Sequence, residues 1–445
     1  MDWERELSER RASNKGVILI GSALFNWSET QRMTGFGEEL YRRGYYIVYV
    51  GSGKYDYLVE ERPFERRYIG ADDWWFTKER IEKMMDIGKY GNQYATVKEI
   101  EEIVSQEVAL INEIKPLAMI TGYRNTFSIS ARATHTPLVW CLSAVVSPMY
   151  FEQNLANIPE QQMLYIQTFM KNIKTEEKKQ EFYKKLTQQY VLSRNRTSQE
   201  WNKYLKRHNL PLLQSDLDMF KGDLNIMSDA KELFPSISGE LPNYKFCGPI
   251  ISKETIPMPE CVKNHVKKEG RKVVFVVMGS SGEKEIFKET LKCIENASYD
   301  IFVATVGIID KDDEKEFPDN FYFAEKYPLI EMMKYADVAI IHGGQGTVYS
   351  TILGGKPFIG IPMFNEQQYN LENLNRKAKC GIVLLKSQVT KESIGQSLNE
   401  LLTCKEYREN MELVSNEISK YYDNELYNAN IIAANDIESL VADMQ

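Results

Sequence analysis

The chain has 445 residues, 43% of them hydrophobic, with 55 Lys and Arg against 63 Asp and Glu for a net charge of −8. That length suits two or three domains with cores of their own, and two are expected. The acidic balance excludes nucleic-acid binding driven by bulk charge, and no apolar run reaches the roughly 18 residues of a membrane span.

The N-terminus, Met1 to Arg11, is charged and lacks the apolar stretch of a secretory signal, so a cytoplasmic location is expected. Lys15 to Gly21 is an apolar strand, followed by a polar loop and an amphipathic helix over Arg32 to Arg43 that Gly44 closes. Tyr45 to Val50 is the next strand, which completes a βαβ unit. Leu117 to Ile120 and Pro137 to Cys141 continue the sheet around a helix at Phe127 to Thr134. A Gln-, Lys- and Tyr-rich stretch with helical periodicity, about 148–217, is expected to be a helical insert. Leu224 to Ser228 and Phe246 to Ile250 close this first domain, 1–250, and 251–270 forms a linker.

A second parallel domain, 271–425, opens with the strand Lys272 to Met278 and the turn Gly279-Ser280-Ser281-Gly282. It continues through Ile301 to Thr305 and Phe321 to Phe323 to the apolar run Asp337 to Ile341. Six cysteines, at 141, 247, 261, 293, 380 and 404, have no close pairs, which speaks against a zinc site or a disulfide framework.

The most informative stretch follows that apolar run. Three glycines within four residues after His342, in His342-Gly343-Gly344-Gln345-Gly346-Thr347, let the backbone turn tightly. The helix read over Thr347 to Leu353 then points its N-terminus at whatever sits above the strand, and such an end favours an anion, phosphate above all. Glycines alone also fit an ordinary strand-to-helix turn. Downstream come Gly354-Gly355-Lys356-Pro357, a strand at Phe358 to Ile361, and Glu366-Gln367 on the next loop at the same sheet edge.

This ordered set resembles the donor signature of family 1 nucleotide-sugar-dependent glycosyltransferases, matching at His342, Gly343, Gly344, Gly346, Thr347, Gly355, Pro357, Glu366, Gln367 and Asn370. The resemblance implies the GT-B fold, two Rossmann-like doubly wound α/β domains facing a cleft, with the helical insert bordering the acceptor pocket and a C-terminal helix, 426–445, packing back on the first domain. It implies an inverting transferase that moves a hexose from a UDP- or TDP-sugar to a small, largely apolar acceptor, as monomer or homodimer, with no cofactor and no metal.

By the same resemblance, Gly279, Ser280 and Ser281 form a first donor loop, Tyr327 and Leu329 belong to the base-binding loop, and His342 with the N–H groups near Gln345 receives the diphosphate. Glu366 and Gln367 read the sugar hydroxyls, and Asn370 supports their loop. Stabilising the departing diphosphate in this way is electrostatic catalysis and can replace a divalent ion. Asp310-Lys311-Asp312 and Asp216-Leu217-Asp218 have metal-binding spacing but read as solvated or capping acids.

The first domain departs from the pattern. Family members place a general-base His after the first strand and an orienting Asp at a later strand end. Counting back from Arg43-Gly44-Tyr45 puts Glu29 at the His position, and counting on from Lys115-Pro116 puts Gly122 at the Asp position. The four histidines are His135, His208, His265 and His342, none of them on this loop. Glu29 is therefore the candidate base, its pKa raised by a partly dry cleft. The departure equally fits an acceptor that needs little deprotonation, or a non-catalytic partner protein. Glu29 also fits a plain first-turn acid with Ser28 as N-cap. A lipid acceptor is a further alternative. Trp27, Tyr123 and Arg124 are candidate acceptor contacts, and Trp74 and Trp75 are candidate walls of that site.

Overall fold

A computed structural model of the chain describes residues 3–444 except 25–26, 71, 76, 78, 81–94, 158–172, 176, 180, 183–184, 186–197, 238, 240, 252–255, 267–268, 280–281 and 297. Much of the expected helical insert thus lies outside the described residues, as do Ser280 and Ser281.

The first domain has seven parallel strands: β1 (Val17–Gly21), β2 (Tyr46–Val50), β3 (Glu65–Arg67), β4 (Ala118–Thr121), β5 (Leu138–Leu142), β6 (Leu224–Met227) and β7 (Tyr244–Phe246). Their order is β3-β2-β1-β4-β5-β6-β7. The second domain has six: β8 (Lys272–Val277), β9 (Tyr299–Ala304), β10 (Phe321–Ala324), β11 (Val338–Ile341), β12 (Phe358–Gly360) and β13 (Gly381–Val383). Their order, β10-β9-β8-β11-β12-β13, repeats the same logic. In each sheet the chain runs outward from the first strand and then returns to its other side. A crevice opens at the carboxyl ends where the direction reverses, between β1 and β4 and between β8 and β11.

Continuous apolar runs such as Val17 to Ile20 suit strands covered on both faces. Leu19 joins Met119 and Trp140 in one layer, while Ile18 and Ile20 join Ile47 and Ile120 in the other. Helix α1 (Trp27–Arg42) turns Met33, Phe36 and Leu40, at helical spacing, onto that second layer. Ala433, Ile437 and Val441 complete it from the C-terminal helix Ala429–Asp443. Arg43 secures the crossing by donating from Nη1 to Glu438 Oε2 at 2.6 Å and Asn435 Oδ1 at 2.7 Å.

Several elements differ from the sequence reading. Helix α1 begins at Trp27 rather than Arg32, which brings Glu29 into its first turn. Strand β3 is Glu-Arg-Arg and carries no apolar alternation, so pattern reading passes over it. Helix α2 (Gln345–Gly354) starts two residues earlier than Thr347, directly after the glycine pair. Glu366 and Gln367 lie not on a loop but in the first turn of α3 (Asn365–Lys377). The expected linker also contributes structure: Val262, on the short helix Glu260–Lys263, is buried in the cluster that includes β8.

Candidate active site

The two crevices face each other, and every strand bordering them delivers a candidate residue. β1 leads through Ser22 to α1 and Glu29, β4 leads to Gly122 and Tyr123, β8 leads to Gly279, and β11 leads to His342.

In the second domain, His342 is 6% exposed and packs against two glycines: a Cβ at Gly279 or at Gly344 would come within 2.5 Å of its Nε2. Both positions therefore need glycine for space, and Gly279 also has φ of +60°. Burial pushes the imidazole down to about 4, against the Val277 carbonyl. It is thus a neutral ring at physiological pH, a dipolar partner for an anion rather than a cation.

Gly343, at φ +93°, lies so close to α3 that a Cβ would meet the Gln367 carbonyl at 2.7 Å. Its own carbonyl accepts from Asn370 Nδ2 at 3.0 Å, tying that helix to the glycine turn. Helix α2 takes Gly344 as N-cap, so its unpaired N–H groups open into the cleft. Gly346 has open space where a side chain would be, and Thr347 lies buried in the same turn.

Glu366 is half-buried; burial raises its carboxyl and the charge of Arg32 opposes the shift. Gln367 is 1% exposed and its Oε1 accepts from Met363 N at 2.8 Å, so that atom holds the turn before α3. Leu329 opens the helix Leu329–Tyr335. Tyr327 requires correction as a donor contact: its ring is 2% exposed against Phe275, and its hydroxyl donates to the Tyr322 carbonyl at 2.9 Å. An apolar ring with a satisfied hydroxyl belongs to the core. Of the Asp-x-Asp acids, Asp310 and Asp218 cap short helices, with Asp310 Oδ1 accepting from Asp312 N and Asp313 N and Asp218 Oδ2 accepting from Gln214 N and Ser215 N, while Asp312 pairs with Lys315 at the surface and Asp216 accepts from Ser198 N.

In the first domain, Glu29 is fully buried. Ser22 Oγ donates to its Oε2 at 2.6 Å and Tyr123 N to its Oε1 at 3.2 Å. Burial pushes this carboxyl up to about 7, against the Ser22 hydroxyl, the Arg32 charge and the N–H groups of Tyr123 and Ala23. Tyr123 borders the same space, with Glu366, Arg32 and Glu29 all acting on its hydroxyl.

Arg124 points the other way and is corrected as an acceptor contact. It is fully buried, pairing through Nε with Glu107 at 2.7 Å and through Nη2 with Asp72 at 2.9 Å. Thr126 and Ser130 donate to the same Glu107 carboxylate, so a buried ionic network inside the domain holds Arg124 away from the cleft. Trp75 is likewise core, edge-on to Trp201 at 5.9 Å. Trp27 is 40% exposed at the start of α1, whereas the side chain of Trp74 lies outside what is described.

The residue that sequence reading missed is Arg32. One helical turn after Glu29, it is 4% exposed and donates through Nη1 to Ser228 Oγ at 2.8 Å. Gln345 Oε1 lies 3.4 Å from the same nitrogen, and Gln345 Nε2 donates to the Ser228 carbonyl at 2.9 Å, so the contact joins the two domains. Tyr349, on α2, also reaches the first domain, donating to Asp229 Oδ1 at 2.8 Å. The i, i+3 spacing of Glu29 and Arg32 was the available signal, and it becomes readable once the helix is started at Trp27.

Residues 123–420 match the UDP-glucoronosyl and UDP-glucosyl transferase family. The chain belongs to that family. A PGL/p-HBAD biosynthesis glycosyltransferase of Mycobacterium tuberculosis is 24% identical over 323 residues, 72% of this chain and 71% of the relative. A PGL/p-HBAD biosynthesis rhamnosyltransferase of Mycobacterium bovis is 21% identical over 402 residues, 89% of this chain and 83% of the relative. Among solved structures, the glycotransferase of kitacinnamycin superposes with a TM-score of 0.68 at 15% identity, covering 96% of this chain and 99% of that one. The protein is a glycosyltransferase of GT-B type. Among the described residues no helix is long and apolar enough to cross a membrane.

Proposed function

We propose that the protein is an inverting, metal-independent transferase that moves a hexose from a UDP- or TDP-sugar to a small, largely apolar acceptor, with Glu29 as general base. The observation that carries this reading is the position of Glu29. Its carboxyl, raised to about 7, stands at the crevice of one sheet while His342 and the α2 N-terminus stand at the crevice of the other. A base with a pKa near the working pH is suited to proton transfer.

In the reaction, the acceptor oxygen attacks the anomeric carbon and the bond from that carbon to the diphosphate oxygen breaks. The electron pair leaves with the diphosphate, and the acceptor proton passes to Glu29. Neutral His342 and the N–H groups of α2 stabilise the charge that develops on the leaving group. The family name supports a UDP-sugar donor, and the rhamnosyltransferase relative supports a hexose-type sugar.

The test is release of UDP or TDP from a donor panel by the purified chain, with and without a panel of apolar hydroxylated acceptors and with chelator present. Acceptor-dependent release is expected, and His342→Ala should lose it while the fold survives. Unchanged turnover in that variant removes the role given to His342.

A second reading has one observation in its favour: Glu29 has no exposed surface and accepts from Ser22 and Tyr123. On that reading it anchors the loop, and the acceptor is already acidic enough to react. Retained transfer to an acidic acceptor by Glu29→Gln selects the anchor.

A further inference from the structure

Arg32 is a buried cation with no bonded counter-ion among the described residues: Glu366 and Glu29 favour its charge only through space. Among the described residues it forms no ion pair, its Nε has no hydrogen-bond partner, and its bonds go to the neutral groups of Ser228, Gln345 and Tyr123. A desolvated charge without a hydrogen-bonded counter-ion is costly, and a bound anion would complete it. The nearby carboxyls, Glu29, Asp229 and Glu366, are raised by burial against the charge of Arg32, and none of them bonds to its guanidinium.

The direction in which Arg32 points is informative. Gln345 is the first residue of α2, so the guanidinium lies at the positive end of that helix. Two positive poles from different domains meet across the cleft. An anion between them is attracted by both.

We infer that Arg32 grips the donor diphosphate from the acceptor-side domain, opposite the α2 N-terminus. This rests on the nucleotide-sugar reading above. The planar fork of guanidinium suits phosphate oxygens, which it can engage in pairs.

The test is calorimetric titration of the full chain and of Arg32→Met with UDP and TDP and, in parallel, with uridine and thymidine. The variant is expected to bind the preferred diphosphate at least tenfold more weakly while nucleoside binding is unchanged, and Arg32→Lys should recover part of the loss. A purely structural role would weaken both ligand classes together. Equal diphosphate affinity in wild type and Arg32→Met overturns the inference and leaves the donor reading standing. Binding of neither diphosphate by the wild type overturns both. Should the methionine variant not fold, Arg32→Gln, which keeps a donor for Ser228, carries the same expectation.

Discussion

Glu29 fills the space that a side chain at Gly122 would need: a Cβ there would stand 2.5 Å from Glu29 Cγ and 3.0 Å from its Oε1. The two departures from the family pattern are thus linked in space. A carboxylate reaching in from α1 occupies the room where the family's orienting acid would stand, and glycine at 122 makes that room. Gly122→Ala should displace Glu29, costing about 1–3 kcal/mol of stability by overpacking. Transfer should fall more steeply than stability does. Urea unfolding and turnover measured on the same preparation check this, and a variant with full activity counts against the packing.

Stability should also report the buried carboxyl. Glu29 is raised from 4.5 to about 7, so the native state holds its proton through a range in which the unfolded chain has lost it. Its contribution is therefore most favourable below pH 4.5 and is lost as pH rises through about 7. The shift corresponds to a penalty of about 3 kcal/mol above that point. Glu29→Gln should remove much of it, so urea midpoints at pH 5 and pH 8 should lie closer together than in the wild type. An unchanged gap between the midpoints assigns the titration to another group.

Gly344→Ala isolates the His342 contact. The backbone at 344, φ −59° and ψ 141°, is open to alanine, so the expected effect comes from the added methyl against Nε2 at 2.5 Å. Moving the imidazole should cost about 1–3 kcal/mol of stability by overpacking, and should weaken UDP or TDP binding by titration calorimetry in variant protein shown to be folded. Because the ring is already neutral, with its pKa down at about 4, donor binding in the wild type should not acquire a His342 titration between pH 6 and 9.

The C-terminal helix should carry part of the first domain's stability. Ile437 is fully buried in the layer formed with Phe36 and Leu40, so Ile437→Ala should cost about 2–5 kcal/mol in urea unfolding despite its place near the end of the chain. A cost below about 1 kcal/mol would mean that the first domain does not depend on this crossing.

The donor half was legible because its chemistry is local. His342 and the glycines lie within a few residues of one another, and space and backbone requirements fix them there. Strand runs such as Val17 to Ile20 and Lys272 to Val277 were legible for a similar reason, being apolar on both faces. What sequence could not reveal depends on contacts across long separations. Arg124 reads as a cleft residue from its place after β4, but Glu107 and Asp72 draw it into the domain. Tyr327 sits in a loop resembling a base site, yet its hydroxyl finds Tyr322 and its ring Phe275. Arg32 was hidden by a helix started five residues late, and its partners Ser228 and Gln345 are remote in sequence.

The most direct test of Glu29 as base is the pH dependence of sugar transfer at saturating donor and acceptor, compared between the wild type and Glu29→Gln. The wild-type rate should rise with a midpoint near 7, the value to which burial pushes this carboxyl. The variant should be slower by about 10²- to 10⁴-fold, without that rise. A variant that keeps both the wild-type rate and the wild-type profile would contradict the assignment.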